Sequence, residues 1–186
     1  MNTFLSREEV LKMGFKSVGD NVLIGKTAIF YHPECVEIGN HVRIDDYCII
    51  SGKVKLGSYI HIAHFCGLYG GSTGITLMDF TGISSKSSLY AETNDYSGEA
   101  MTNPMVHLNY TKTISAPICL EKHAIVGTGC TVMSGVTIGE GAAVGAMSLV
   151  LKSVAPWTIN VGIPCKAIKS RSRKLLECEK LFLDNQ

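Results

Sequence analysis

The sequence predicts an all-β chain, a solenoid of short parallel strands wound as a triangular prism. Three observations predict it. Aliphatic residues recur six apart at Ile38, Ile44, Ile50, Leu56, Ile62 and Leu68, again at Leu77, Ile83 and Leu89, and again from Leu120 through Val126, Val132, Ile138 and Val144 to Val150. Four places after each anchor stands a small or β-branched residue, such as Val42, Cys48, Val54, Ser72, Thr93, Ala124 or Cys130. Directly after many anchors comes glycine, at 19, 25, 39, 57, 127, 139 and 145. A helix period of 3.6 cannot keep a strict spacing of six, and a long amphipathic strand alternates by two without a recurring corner. Short strands joined by corners remain, three to an 18-residue coil, with the anchors stacked inside.

The elements follow in order. Ser6 to Glu9 fits a capping box, Val10, Leu11 and Met13 supply an apolar side, and Gly14 stops a short helix within residues 1–17. Val18 and Ile24 lead into the repeats, where glycine suits a corner that needs an unusual φ. Gly70 to Gly74 adds three residues between anchors and reads as a small bulge at a corner. Residues 95–117 hold Pro104, Pro117, two Tyr and a His, and read as a loop thrown out of the coil. After Pro164, Ile168, Leu175, Leu176 and Phe182 stand near helical spacing among basic residues, which predicts a helix over 164–186. One domain, 1–186, with the prism over 18–163, accommodates all of this.

Composition narrows the function. Seventeen Lys and Arg against 16 Asp and Glu leave a net charge of +1, so no basic field exists to hold nucleic acid. Charged residues are only 18% while the apolar set reaches 46%, a pale surface that points to subunit contacts. The first residues show no signal peptide and no run is long enough for a spanning helix, so a cytoplasmic location is expected. Seven cysteines with no Cys-x-x-Cys pair argue against disulfides and zinc, and Cys48, Cys66 and Cys130 fall on inward sites. No metal is expected. The Gly67 to Gly74 stretch lacks the Lys-Ser/Thr of a phosphate loop, and Trp157 reads as packing.

The hexads resemble those of the hexapeptide-repeat acyltransferases, a family of left-handed parallel β-helices. Asp95-Tyr-Ser-Gly, Thr102-Asn-Pro and the end running from Gly145 through Pro156-Trp to Gly162-Ile-Pro-Cys-Lys are similar to bacterial sugar O-acetyltransferases of the galactoside and maltose type. The resemblance implies acetyl-CoA as co-substrate, a hydroxyl of a sugar or surface-polysaccharide precursor as acceptor, and a homotrimer with its active sites between subunits. N-acetylation of a nucleotide-linked amino sugar is the alternative. More remote are a metal enzyme of the γ-carbonic anhydrase kind and a non-catalytic scaffold.

Acyl transfer to a hydroxyl needs a base, and histidine titrates near neutrality. Those acetyltransferases carry a loop His where this chain reads Thr93-Asn94-Asp95-Tyr96. The resemblance therefore turns to His61 or His64, acting with Asp95, as the base, with His107 of the loop as a further candidate. A deprotonated amine is already nucleophilic and can dispense with His, which favours the alternative acceptor. His41 and His123 share a column and read as packed or solvent-facing, and His32 reads as a turn residue. For the cofactor, the resemblance matches Gly127, Thr128 and Ala146 to the pantetheine arm, and Lys152, Lys166 and Lys169 to its phosphates.

Overall fold

The computed structural model describes residues 3–185; residues 1, 2 and 186, at the ends of the expected terminal segments, lie outside the described residues. Short strands stack in parallel on three faces, about seven coils high, in a left-handed β-helix. Each face carries one column of anchors in register. The first runs Val18, Ile38, Leu56, Leu77, Leu120, Ile138 and Val154. The second runs Ile24, Ile44, Ile62, Ile83, Val126, Val144 and Asn160. The third runs Phe30, Ile50, Leu68, Leu89, Val132 and Val150. The anchors from Ile24 to Val150 on these columns are buried, Phe30 partly so, which confirms the six-residue reading as the source of the core.

The glycines serve a different purpose from the one expected. Positive φ falls three residues after the anchors, at His41, Tyr59, Phe80 and His123 on one corner and at Tyr47, Phe65, Lys86, Gly129 and Met147 on the next. The glycines directly after anchors lie outside the left-handed region. They are small because the next coil is too close: a Cβ on Gly39 would lie 2.4 Å from the Gly57 carbonyl oxygen, and one on Gly127 would lie 2.6 Å from the Ala146 nitrogen.

Four further expectations change. The added residues at Gly70 to Gly74 do form a bulge at the corner between the third and first faces, where the eleven-residue strand Gly67–Leu77 shifts register against Ile49–Leu56; what changes is the inward small place, since Ser72 points to solvent while Ile75 fills the core. The repeat breaks off at Ala91, because Glu92–Asn94 turns outward and pairs antiparallel with Thr113–Ser115; the excursion expected over 95–117 is thus a folded arm with this pair as its stem. Helix α1 is confined to Arg7–Lys12; its capping box forms and Val10 is buried, but Leu11 faces solvent. No helix covers 164–170: Lys166–Ser170 is an antiparallel strand against Thr158–Val161, and helix α2 spans only Leu175–Asp184. Backbone pairing at the end of the second face outweighs the helical spacing of Ile168 with Leu175.

Side-chain stacking stabilises the corners. His41, Tyr59, Phe80 and His123 form one continuous stack with ring centroids 4.7–5.2 Å apart, so the shared column is a packed one. Helix α2 closes over it: Glu179 takes a 2.8 Å bond with His123 Nε2 and pairs with Lys122, while Phe182 meets Tyr59 and Phe80 edge-on. Inside the corner between the second and third faces, the Cys48, Cys66 and Cys130 thiols donate to the carbonyls of Ala63, Ser84 and Gly145 on the following coils, and Ser87 donates likewise to Gly127. Burial pushes the Cys130 thiol up from its ordinary value, in keeping with a packing role.

Candidate active site

The corner between the second and third faces gathers most of the candidate residues. Strand Ile60–Ile62 turns His61 outward, and His64 follows on the corner itself. Between them and the neighbouring coil stands Asp45, which the sequence reading missed. Its side chain is 3% exposed, yet it accepts a 2.7 Å bond from Arg43 Nε on one oxygen. On the other it meets His61 Nε2 at 2.8 Å and His64 Nδ1 at 3.4 Å. Burial raises the Asp45 carboxyl, but the bonds from His61 and Arg43 outweigh it and hold the group below the ordinary carboxylate range. The signal was available: Asp45 occupies the after-anchor place that Gly25 fills one coil below, and its 16-residue separation from His61 is close to one coil.

The cofactor candidates continue up the same corner. Ile62 pairs with Ile83, Ile83 with Val126, and Val126 with Val144. Thr128 therefore lies two coils above His64, roughly 10 Å away, and Ala146 one coil higher. Thr128 anchors the corner by donating to the Ser85 carbonyl at 2.7 Å, and both Thr128 and Ala146 are exposed. Lys152, Lys166 and Lys169 stand exposed near the far end of the stack, and among the described residues no ion pair reaches them. Uncommitted cations beyond a corner of small residues fit a phosphorylated carrier with an extended arm.

Asp95 and His107 lie elsewhere. Asp95 sits at the base of the arm, buried, and accepts from Ser97 Oγ at 2.6 Å and from Ser97 N at 3.1 Å. Those bonds keep its carboxyl below the ordinary range, so it is ionised at neutral pH. It meets neither His61 nor His64 within the chain; Asp45 holds that position instead. His107 accepts from the Asn109 amide and caps a short turn, Leu108–Tyr110, on the exposed arm. Trp157 is buried, with Arg173 over its ring at 5.2 Å. Among the described residues, no group of three or more His, Cys, Asp or Glu is placed to hold a metal ion, and no helix is long and apolar enough to cross a membrane.

No protein-family model matches the chain. A dTDP-4-amino-4,6-dideoxy-D-glucose acyltransferase of Escherichia coli is 43% identical over 182 residues, covering 96% of this chain and 94% of the relative. The chain belongs to the hexapeptide-repeat acyltransferases. The galactoside O-acetyltransferase of Escherichia coli K12 is more distant, 25% identical over 173 residues, 88% of this chain and 68% of that protein. Among solved structures, AntD, an N-acyltransferase from Bacillus cereus, matches with a TM-score of 0.98 at 49% identity, each chain covered completely, in complex with dTDP and coenzyme A. Another AntD structure holds dTDP-4-amino-4,6-dideoxyglucose and coenzyme A. A galactoside acetyltransferase bound to coenzyme A shares the fold at a TM-score of 0.57 and 19% identity, covering 90% of this chain and 71% of that one. This hexapeptide-repeat enzyme is thus an acyltransferase with an acyl-coenzyme A co-substrate, as the resemblance implied.

Proposed function

We propose that the enzyme transfers an acyl group to the amine of a dTDP-linked 4-amino-4,6-dideoxy sugar. The carrying observation is full-length likeness, at 48% identity and complete mutual coverage, to an N-acyltransferase crystallised with that class of acceptor. This replaces the expected sugar hydroxyl with the alternative, an amine. The absence of a loop histidine agrees, since Asp95 stands where the O-acetyltransferases carry their base.

The AntD structures include variants at one serine and one aspartate ten residues apart, a separation that recurs here between Ser85 and Asp95. Ser85 lies on the corner before strand Ser88–Tyr90 and Asp95 on the arm after it, so the third face separates them within one chain. A homotrimer resolves this by bringing the arm of one copy to the corner of the next. The arm suits such a contact, with Tyr96, Met105 and Leu108 more than four-fifths exposed.

Acyl-coenzyme A carries the thioester, whose carbonyl carbon the neutral amine attacks; the C–N bond forms, the C–S bond breaks, and the proton lost by the amine ends on the departing thiolate, releasing free coenzyme A. The chain's residues do the positioning. Thr128 and Ala146 line the corner for the arm, with Gly127 letting the coils close up beneath, and Lys152, Lys166 and Lys169 offer point charges to phosphates. Asp95, ionised and fixed by Ser97, accepts an N–H from the attacking amine and orients its lone pair. Neither His61, His64 nor His107 is required as a base. The test is turnover of dTDP-4-amino-4,6-dideoxyglucose against dTDP-glucose, with an acyl-CoA panel, reading released thiol and product mass. Acylation of the amino sugar alone is expected; acylation of the hydroxyl sugar with none of the amine overturns the reading.

A further inference from the structure

Transfer to an amine leaves the Arg43, His61 and His64 cluster without a chemical task, although a buried carboxylate is spent on holding it. We propose that this cluster is the subsite for the diphosphate of the acceptor nucleotide, with Lys86 at its rim. The assignment rests on the acceptor reading above.

Position is the first argument. The Lys86 amide donates to the His64 carbonyl at 3.0 Å, so His64 lies directly beneath Ser85 in the corner column. With the donor arm occupying the coils above Ser85, an acceptor whose amine reaches Ser85 extends over the coils below, across His64 and His61.

The donor inventory is the second. Asp45 bonds His61 Nε2 and Arg43 Nε, and His64 Nδ1 faces it at 3.4 Å. That leaves one nitrogen on each imidazole, which donates outward when the ring is an imidazolium, and the two terminal nitrogens of Arg43. The three side chains are 50%, 52% and 47% exposed, half in contact with the coil and half open to a ligand. Asp45 itself is buried behind them, and the other acid of this corner, Asp46, has its Oδ1 committed to Thr27 N and Oγ1. Lys86 is exposed one coil above, and no ion pair reaches it among the described residues. With both rings protonated the outward face is donors backed by a fixed carboxylate, which matches two adjacent phosphates. A general base needs one imidazole; two sharing one oxygen of Asp45 make a clamp.

Coenzyme A also carries a diphosphate, so the experiment separates the two sources. The double variant His61→Gln with His64→Gln is compared with wild type by calorimetric titration of dTDP, inorganic pyrophosphate and coenzyme A, with steady-state kinetics alongside. Affinity for dTDP and pyrophosphate should fall at least about tenfold, the equivalent of one charge-assisted hydrogen bond. Coenzyme A affinity should hold, and KM for the amino-sugar nucleotide should rise with kcat little changed. Lys86→Gln, outside the Asp45 bonds, gives an independent loss of about threefold. Unchanged dTDP and pyrophosphate binding, loss of coenzyme A binding instead, or a fall in kcat at constant KM overturns the proposal. If dTDP and pyrophosphate binding depend on the two histidines but the amino sugar is not acylated, the subsite stands and the acceptor reading fails.

Discussion

Replacing Gly39 by Ala tests why glycine follows the anchors. The new Cβ would sit 2.4 Å from the Gly57 carbonyl oxygen and 2.6 Å from its carbon, both backbone atoms of the next coil. Side chains cannot rotate away from such a contact, so the two coils must separate where Gly39 N donates to the Leu56 carbonyl at 2.9 Å. Overpacking costs about 1–3 kcal/mol when side chains absorb it; with backbone on both sides, about 3 kcal/mol is expected. For a chain of this size that is a Tm lower by roughly 6–12 °C. Gly82→Ala is the control, since its Cβ finds only Ile125 at 4.0 Å and its φ lies outside the left-handed region. That change should lie within about 1 kcal/mol of wild type, on the stabilising side through the unfolded chain. Thermal and urea unfolding of both variants decide the matter. Equal losses would show that backbone freedom, and not the closeness of the coils, is what glycine supplies.

Asp95→Asn should lower kcat about 100-fold with the KM for acyl-CoA unchanged, measured by thiol release at saturating acceptor; an unaltered kcat would remove Asp95 from the chemistry. Replacing Lys152, Lys166 and Lys169 together by Ala should raise the KM for acyl-CoA about tenfold while Tm stays put, the difference shrinking in high salt. Asp45 is held below its ordinary range in the folded chain, so it contributes stability above the unfolded value of about 3.9 that is lost as pH falls through the folded one. Asp45→Asn should therefore be less stable than wild type at pH 7 by about 2 kcal/mol, with the gap closing in acid. Urea titrations across a pH series check this, and a constant gap would contradict it.

The three anchor columns were legible because a buried prism edge tolerates only apolar residues, and a period of six returns after each of its two interruptions between Ile38 and Val150. The arm was legible as an interruption, but its antiparallel stem at Glu92–Asn94 was hidden because Thr93 continues the small-residue rhythm while facing the other stem strand. Lys166–Ser170 was mistaken for helix since its pattern alternates over too few residues to separate the two periods. At the site, outward residues such as His61 and Thr128 could be placed by counting from anchors. Asp45 could be placed the same way, from the after-anchor position it shares with Gly25; what the period does not show is its contact with groups 16 and 19 residues onward on the next coil.

The strand Lys166–Ser170 is laid in reverse on Thr158–Val161. A parallel stack grows only while each new rung offers the same polarity as the last, and this rung does not. Its free edge carries Lys166 and Lys169, charges that resist pairing with a foreign strand. Two such chains brought end to end would find mismatched polarity on this side of the prism, so the height of the molecule is set by its own final rung and open-ended fibres are discouraged.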